Sequence, residues 1–423
     1  MAREERSDSK RSGGHIQFSL TGFVALIVSL VLATGVLAYA LTRPNSGAGT
    51  AKQQTSHDLT DAKPPMEVPA WGELITYDTQ MERPEEYTAQ EVASVDKPKW
   101  VFSGMGVEQI RQLMLSSGFT ADQTANALAA GRVSITDSNT VVRPDDALVF
   151  ALGPDVRARF YAELGKNAAN HYMQYPFCFP ENSFDEIAAG GRMQPGVVAN
   201  IRSLLYTRGN TQFLSDFEAL MNRIPSQDQR LQLVKTLSSQ SAVLARIRVR
   251  PDCDIDKLLG YWAWAPGVRF TNLRPLLESI CRLEGGGTIS LLYFLPQFAR
   301  ERLYTYPLPS QPNDPAMDCH WSTMNFFNDP PDNRFADPSY TVSYLTSHYY
   351  PVAKATRYGD RIFLLDDKGN AIHSAVYIAD DIVFTKNGNN YMEPWMLMRM
   401  KKLLATYSAN HSPRVVVYRS KDS

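Results

Sequence analysis

Between residues 104 and 300 apolar positions recur at intervals of three and four: Ile110, Leu113 and Met114 in one stretch, Leu214, Phe217, Leu220 and Met221 in another. That spacing lines one face of a helix. The punctuation agrees, because Gly153-Pro154-Asp155 has the form of a helix start, and Ser226 followed by Gln229 reads as a capping box ahead of Leu231, Leu233, Val234 and Leu237. After residue 300 the pattern changes. Short β-rich runs appear at 361–365 (RIFLL), 372–378 (IHSAVYI), 382–385 (IVFT) and 414–418 (RVVVY), and the polar stretch 366–370 (DDKGN) separates the first two as a hairpin turn would. Helix followed by antiparallel strands predicts an α+β domain over 301–423, behind a mostly helical middle domain over 104–300.

A different pattern opens the chain. Residues 18–41 (FSLTGFVALIVSLVLATGVLAYAL) carry no charge, enough as a helix to cross a hydrocarbon core of about 30 Å. The expectation is a transmembrane helix. Arg3, Arg6, Lys10 and Arg11 precede it, which predicts a cytoplasmic tail at 1–17 and folded domains on the extracytoplasmic side, periplasmic or at the cell surface. Ala38-Tyr39-Ala40 offers the competing reading of a cleaved signal peptide. Residues 42–103, rich in Ser, Thr, Gly, Pro, Lys and Glu, read as a linker with short apolar patches such as 71–77 (WGELITY).

A length of 423 residues calls for more than one folded part, and a net charge of −1 without a basic, aromatic-studded stripe argues against a nucleic-acid partner. The oligomeric state is not legible. The four cysteines are Cys178, Cys253, Cys281 and Cys319; in an oxidising compartment a pair among the first three leaves Cys319 as a free thiol.

Cys319 stands in 317–328 (MDCHWSTMNFFN). Asp318 is a preferred N-cap, and Trp321, Met324 and Phe327 recur on one face after it, so Cys319 falls in the first turn of a helix, where unpaired N–H groups favour thiolate over thiol. In 372–378, Ile372, Val376 and Ile378 take one face of a strand and His373, Ala375 and Tyr377 the other. An imidazole on a rigid strand opposite a helix start is the base that a cysteine nucleophile needs. Other candidates weigh less. Asp252, Asp254 and Asp256 alternate like a calcium loop, but Lys257 stands where its glycine belongs, so a helix start is the better reading. Gly285–Gly287 lack the Lys-Ser/Thr of a phosphate loop, and His348 is a loop histidine and backup base. Tyr261-Trp-Ala-Trp264 and Tyr293-Phe294 read as core, or as an aromatic wall for a sugar or peptide. No metal or cofactor is called for.

The order Asp318-Cys319 at a helix start, Gly359-Asp360 before an apolar strand, then His373-Ser-Ala-Val-Tyr-Ile-Ala379 and a further strand resembles the NlpC-type papain-like cysteine peptidases, which cut cell-wall peptides. The resemblance covers about the last quarter of the chain. It implies Cys319 as nucleophile, His373 as base, and a third polar residue that orients the imidazole: Thr385 by ungapped reading, or Asn387, the better acceptor. Cysteine before histidine sets the chain apart from the permuted relatives, including lipid acyltransferases. Where the family has a small Ser-Gly pair after the cysteine, this chain has His320-Trp321. With Asp318, these two are the candidate substrate-binding residues. The resulting expectation is a membrane-anchored cysteine hydrolase acting on amide bonds of cell-wall peptide. The alternative is an inactive papain-like domain that binds or scaffolds peptide.

Overall fold

The computed structural model describes residues 68–422, apart from 94, 137, 181–182, 264–269, 309–316, 389–391 and 409–411. The elements below belong to one unit, Val68–Asp367 with Ala371–Ser423. The class is α+β, with helices mixed among antiparallel sheets.

The single-pass membrane expectation is corrected. Among the described residues no helix is long and apolar enough to cross a membrane. The charge-free run at 18–41, on which the spanning helix and the extracytoplasmic placement rested, lies outside the described residues.

The mostly helical middle is corrected as well. Several expected helices form, among them Val107–Ser117, Pro154–Leu164 with Pro154 in its first turn, and Gln227–Leu237, where the Ser226 side chain accepts from the Gln229 N–H. They pack around two three-stranded sheets, one ordered Trp100–Ser103, Asn139–Val142, Val133–Thr136, the other Phe177–Pro180, Thr211–Leu214, Tyr206–Arg208. Leu214 therefore ends a strand, and the helix after it spans only Phe217–Asn222. A third sheet pairs Glu73–Met81 with Gln240–Val249 along its whole length, and the latter with Gly287–Ser290. Its central strand buries Ala245, Ile247 and Val249 and exposes Arg246 and Arg248, a period of two that marks a half-buried strand. The Asp252 run starts the helix Ile255–Ala263, with Asp254 accepting from the Lys257 N–H.

Six antiparallel strands build the C-terminal sheet in the order Tyr349–Val352, Arg414–Ser420, Arg361–Leu365, Ala371–Ala379, Ile382–Lys386, Trp395–Arg399. One face buries Phe363, Val376, Ile378, Phe384 and Trp395 against Trp321 and Met324 of the helix Cys319–Met324, and the same core continues into Val243, Ile247, Trp262, Phe294 and Phe298. The sheet thus shares its core with the segment before it. The other face buries Ala375, Tyr377, Val383 and Met398 with Leu403 of the helix Met400–Ser408. A sheet covered on both faces holds the side chains at its strand ends in fixed positions.

Candidate active site

Asp318 caps the helix Cys319–Met324, its carboxylate accepting from the Trp321 N–H at 2.7 Å, and Cys319 is the first helical residue, 6% exposed. Two further bonds fix this helix on the sheet. The Trp395 indole N–H donates to Ser322 Oγ at 2.8 Å, and the Ser374 hydroxyl donates to Thr323 Oγ1 at 3.0 Å.

His373 lies in the strand Ala371–Ala379 with no exposed surface. Its Nε2 is 2.8 Å from Thr385 Oγ1, and its ring stacks on Tyr407 with centroids 4.2 Å apart. Its Nδ1 is buried with no hydrogen-bond partner among the described residues. The polar atom that meets the imidazole is thus the Thr385 hydroxyl. Asn387 lies one residue past the end of the strand Ile382–Lys386, and its amide donates to Gln240 Oε1 at 2.9 Å.

His320 is half-buried beside the thiol. Its Nδ1 is 3.0 Å from Ser374 Oγ, and its ring lies parallel to Phe363 with centroids 6.0 Å apart. Trp321 departs from its expected role at a substrate subsite: it is 2% exposed and packs 5.4 Å from the Phe298 ring. Helical spacing turns it toward the core when Cys319 sits at the helix start.

The electrostatics follow from this crowding. Burial pushes the Cys319 thiol up, but the charges of His320 and then His373 outweigh it, and the pKa falls to about 5. For His320, burial acts downward while the Cys319 thiolate, the Asp318 carboxylate and the Ala371 carbonyl act upward, and the result is about 9. Burial lowers Lys386 to about 8 against the pull of Glu393, Cys319 and Asp318. Burial raises Glu393 to about 7 against Arg83, whose Nη2 is 3.1 Å from its carboxylate. A thiol held below neutrality between two imidazoles is chemically a nucleophile.

The remaining candidates lie elsewhere or in the core. His348 is exposed at the end of the helix Pro338–His348, its Nδ1 3.0 Å from the Tyr344 carbonyl. Tyr261 donates to the Ile378 carbonyl at 2.8 Å and Trp262 is fully buried, while Trp264 lies outside the described residues. Gly286 closes a turn after the helix Phe270–Cys281 by donating to the Leu283 carbonyl. No group of three or more His, Cys, Asp or Glu able to hold a metal ion occurs among the described residues.

Sequence reasoning missed Ser374, Lys386, Glu393 and Tyr407. Alternation along 372–378 puts Ser374 on the face opposite His373, a signal that was present. Tyr407 reaches the imidazole from a distant helix, and nothing local announces it. Comparison with known protein-family models, with curated proteins and with solved structures finds no match for this chain.

Proposed function

We propose that the chain is a cysteine hydrolase of amide bonds, with Cys319 as nucleophile and His373 as acid and base. The observation that carries this reading is the Cys319 thiol, lowered to about 5 beside two imidazoles, one of which, His373, is anchored at Nε2 and keeps Nδ1 without a hydrogen-bond partner. The cysteine helix against an antiparallel sheet, with histidine on a central strand, supports the resemblance to NlpC-type peptidases, and cell-wall peptide is the substrate class that follows from it.

In the proposed cycle the resting pair is the Cys319 thiolate with the proton on His373, and the thiolate forms a C–S bond to the carbonyl carbon while the π pair moves to oxygen. Collapse breaks the C–N bond, and the proton on His373 goes to the departing nitrogen. Water then gives a proton to His373, its hydroxide forms the C–O bond, and the C–S pair returns to sulfur.

A second reading is favoured by burial. With Cys319 6% and His373 0% exposed, the same domain could hold a peptide without cutting it. Peptide release from purified cell wall separates the two, using the full-length chain beside Cys319→Ala and His373→Ala with folding matched by circular dichroism. Release that both substitutions abolish supports the hydrolase, and mass spectrometry of the product names the bond cut. Equal, negligible release from all three favours the binding domain.

A further inference from the structure

One thiol here has two imidazole neighbours, whereas the proposed chemistry uses one. The two rings are held differently. Ser374 gives its hydroxyl proton to Thr323 Oγ1, so its oxygen is left to accept, and His320 Nδ1 carries the proton that fills it. Thr323 belongs to the same helix as His320, and Ser374 to the strand of His373, so this chain of bonds ties the His320 ring to both elements. Phe363 lies parallel to the ring. A ring restrained in this way acts on its neighbour Cys319. His373, in contrast, is anchored by Thr385 at one nitrogen and retains Nδ1 for proton exchange.

We propose that His320 is a resident imidazolium, balanced by the Asp318 carboxylate, that keeps Cys319 ionised, while His373 carries the proton that turnover consumes. The second half of this assignment rests on the hydrolase reading; the first does not. His320 gains and loses no proton during the cycle, so it is a positioning residue for the thiolate.

Among the described residues, the titratable groups facing the thiolate come from three places. Asp318 and His320 come from its own helix start, His373 and Lys386 from adjacent strands, and Tyr407 from the C-terminal helix. His320 itself faces Cys319, Asp318, the Ala371 carbonyl and the Ser374 hydroxyl. Lys386 is a further cation near the sulfur, and it also faces Glu393 while its Nζ donates to the Gly388 carbonyl at 3.0 Å. His320 outranks His373 in its pull on the thiol.

The test is the pH dependence of iodoacetamide alkylation at Cys319 in the full-length chain, with the labelled site assigned by peptide mass. The parent should titrate with a midpoint near 5. His320→Gln should raise that midpoint by about two pH units, which lowers alkylation near pH 6 roughly tenfold. His320→Lys, which restores a cation, should bring it part of the way back. Ser374→Ala, which frees the ring, should raise it by a smaller amount. His373→Gln should abolish peptide release while Cys319 stays reactive. An unchanged midpoint in folded His320→Gln overturns the proposal, and if that variant does not fold, an unchanged midpoint in Ser374→Ala does so. A shifted midpoint in a parent that releases no peptide sinks the hydrolase reading and leaves the thiolate assignment standing.

Discussion

His373 Nε2 lies 2.8 Å from Thr385 Oγ1 across neighbouring strands. The ladder pairs Val376 with Phe384 and Tyr377 with Val383, so His373 and Thr385 meet on a diagonal within one face of the sheet. A hydroxyl at this distance fixes which ring nitrogen is engaged and leaves the other for the thiol.

Thr385→Val should therefore cut kcat/KM for peptide release by up to roughly 100-fold, the lower end of what a positioned acid–base group contributes, with the fold retained. Thr385→Ser keeps the hydroxyl and should stay close to the parent. Asn387→Ala should do less than Thr385→Val, because the Asn387 amide is engaged by Gln240. Steady-state kinetics of the three variants decide the order; a larger loss at Asn387 would move the orienting role to the amide.

Trp321→Ala should unfold the chain more readily by about 3–5 kcal/mol, the cost of deleting a large buried aromatic. The ring is 2% exposed against Phe298, with the Arg302 guanidinium 4.2 Å above Phe298. Chemical denaturation measures this directly. A variant of parental stability with altered product preference would instead restore Trp321 to a substrate subsite.

The C-terminal strands at 361–365, 372–378, 382–385 and 414–418 were legible because β-branched residues are dense there and turn residues bound them. Trp395–Arg399 was not, since an apolar run buried on both faces has no period to show. Tyr349–Val352 hid behind Pro351, which is tolerated on this edge strand. In the middle of the chain, Gln240–Val249 did carry the alternation of a strand, and the surrounding helical spacing masked it. At the site, the Cys319 helix start and the placing of His373 on the strand face opposite Val376 and Ile378 were local facts. The closeness of His320 to Ser374 and of His373 to Tyr407 depends on tertiary packing, which no spacing rule reaches.

Arg157 and Asp216 form an ion pair at 2.8 Å with side chains 0% and 2% exposed. Tyr161 donates to the second carboxylate oxygen at 2.5 Å, and the guanidinium also donates to the carbonyls of Val149, Leu152 and Ser203. Arg157→Met would strand a buried carboxylate and three carbonyls, and should cost about 3–5 kcal/mol. The double variant Arg157→Met, Asp216→Asn should recover part of that loss in denaturant titrations. Additive losses would show that the two side chains do not act as a unit.

The site should also leave a mark on stability against pH. The folded Cys319 pKa lies near 5 against an ordinary 9.0, so from pH 5 to 9 the unfolded chain binds one more proton at this residue, and stability rises with pH. His320 moves from 6.5 to about 9, so from pH 6.5 to 9 the folded chain binds the extra proton, and this contribution is lost as pH rises. Below 6.5 only the Cys319 slope acts, and above it the two slopes cancel: the pair stabilises the fold increasingly from pH 5 to 6.5 and contributes no slope from 6.5 to 9. Denaturation midpoints of the parent minus those of Cys319→Ser should climb between pH 5 and 6.5 and then level. A difference that is flat from pH 5 upward would mean that the thiol is not ionised in the folded chain.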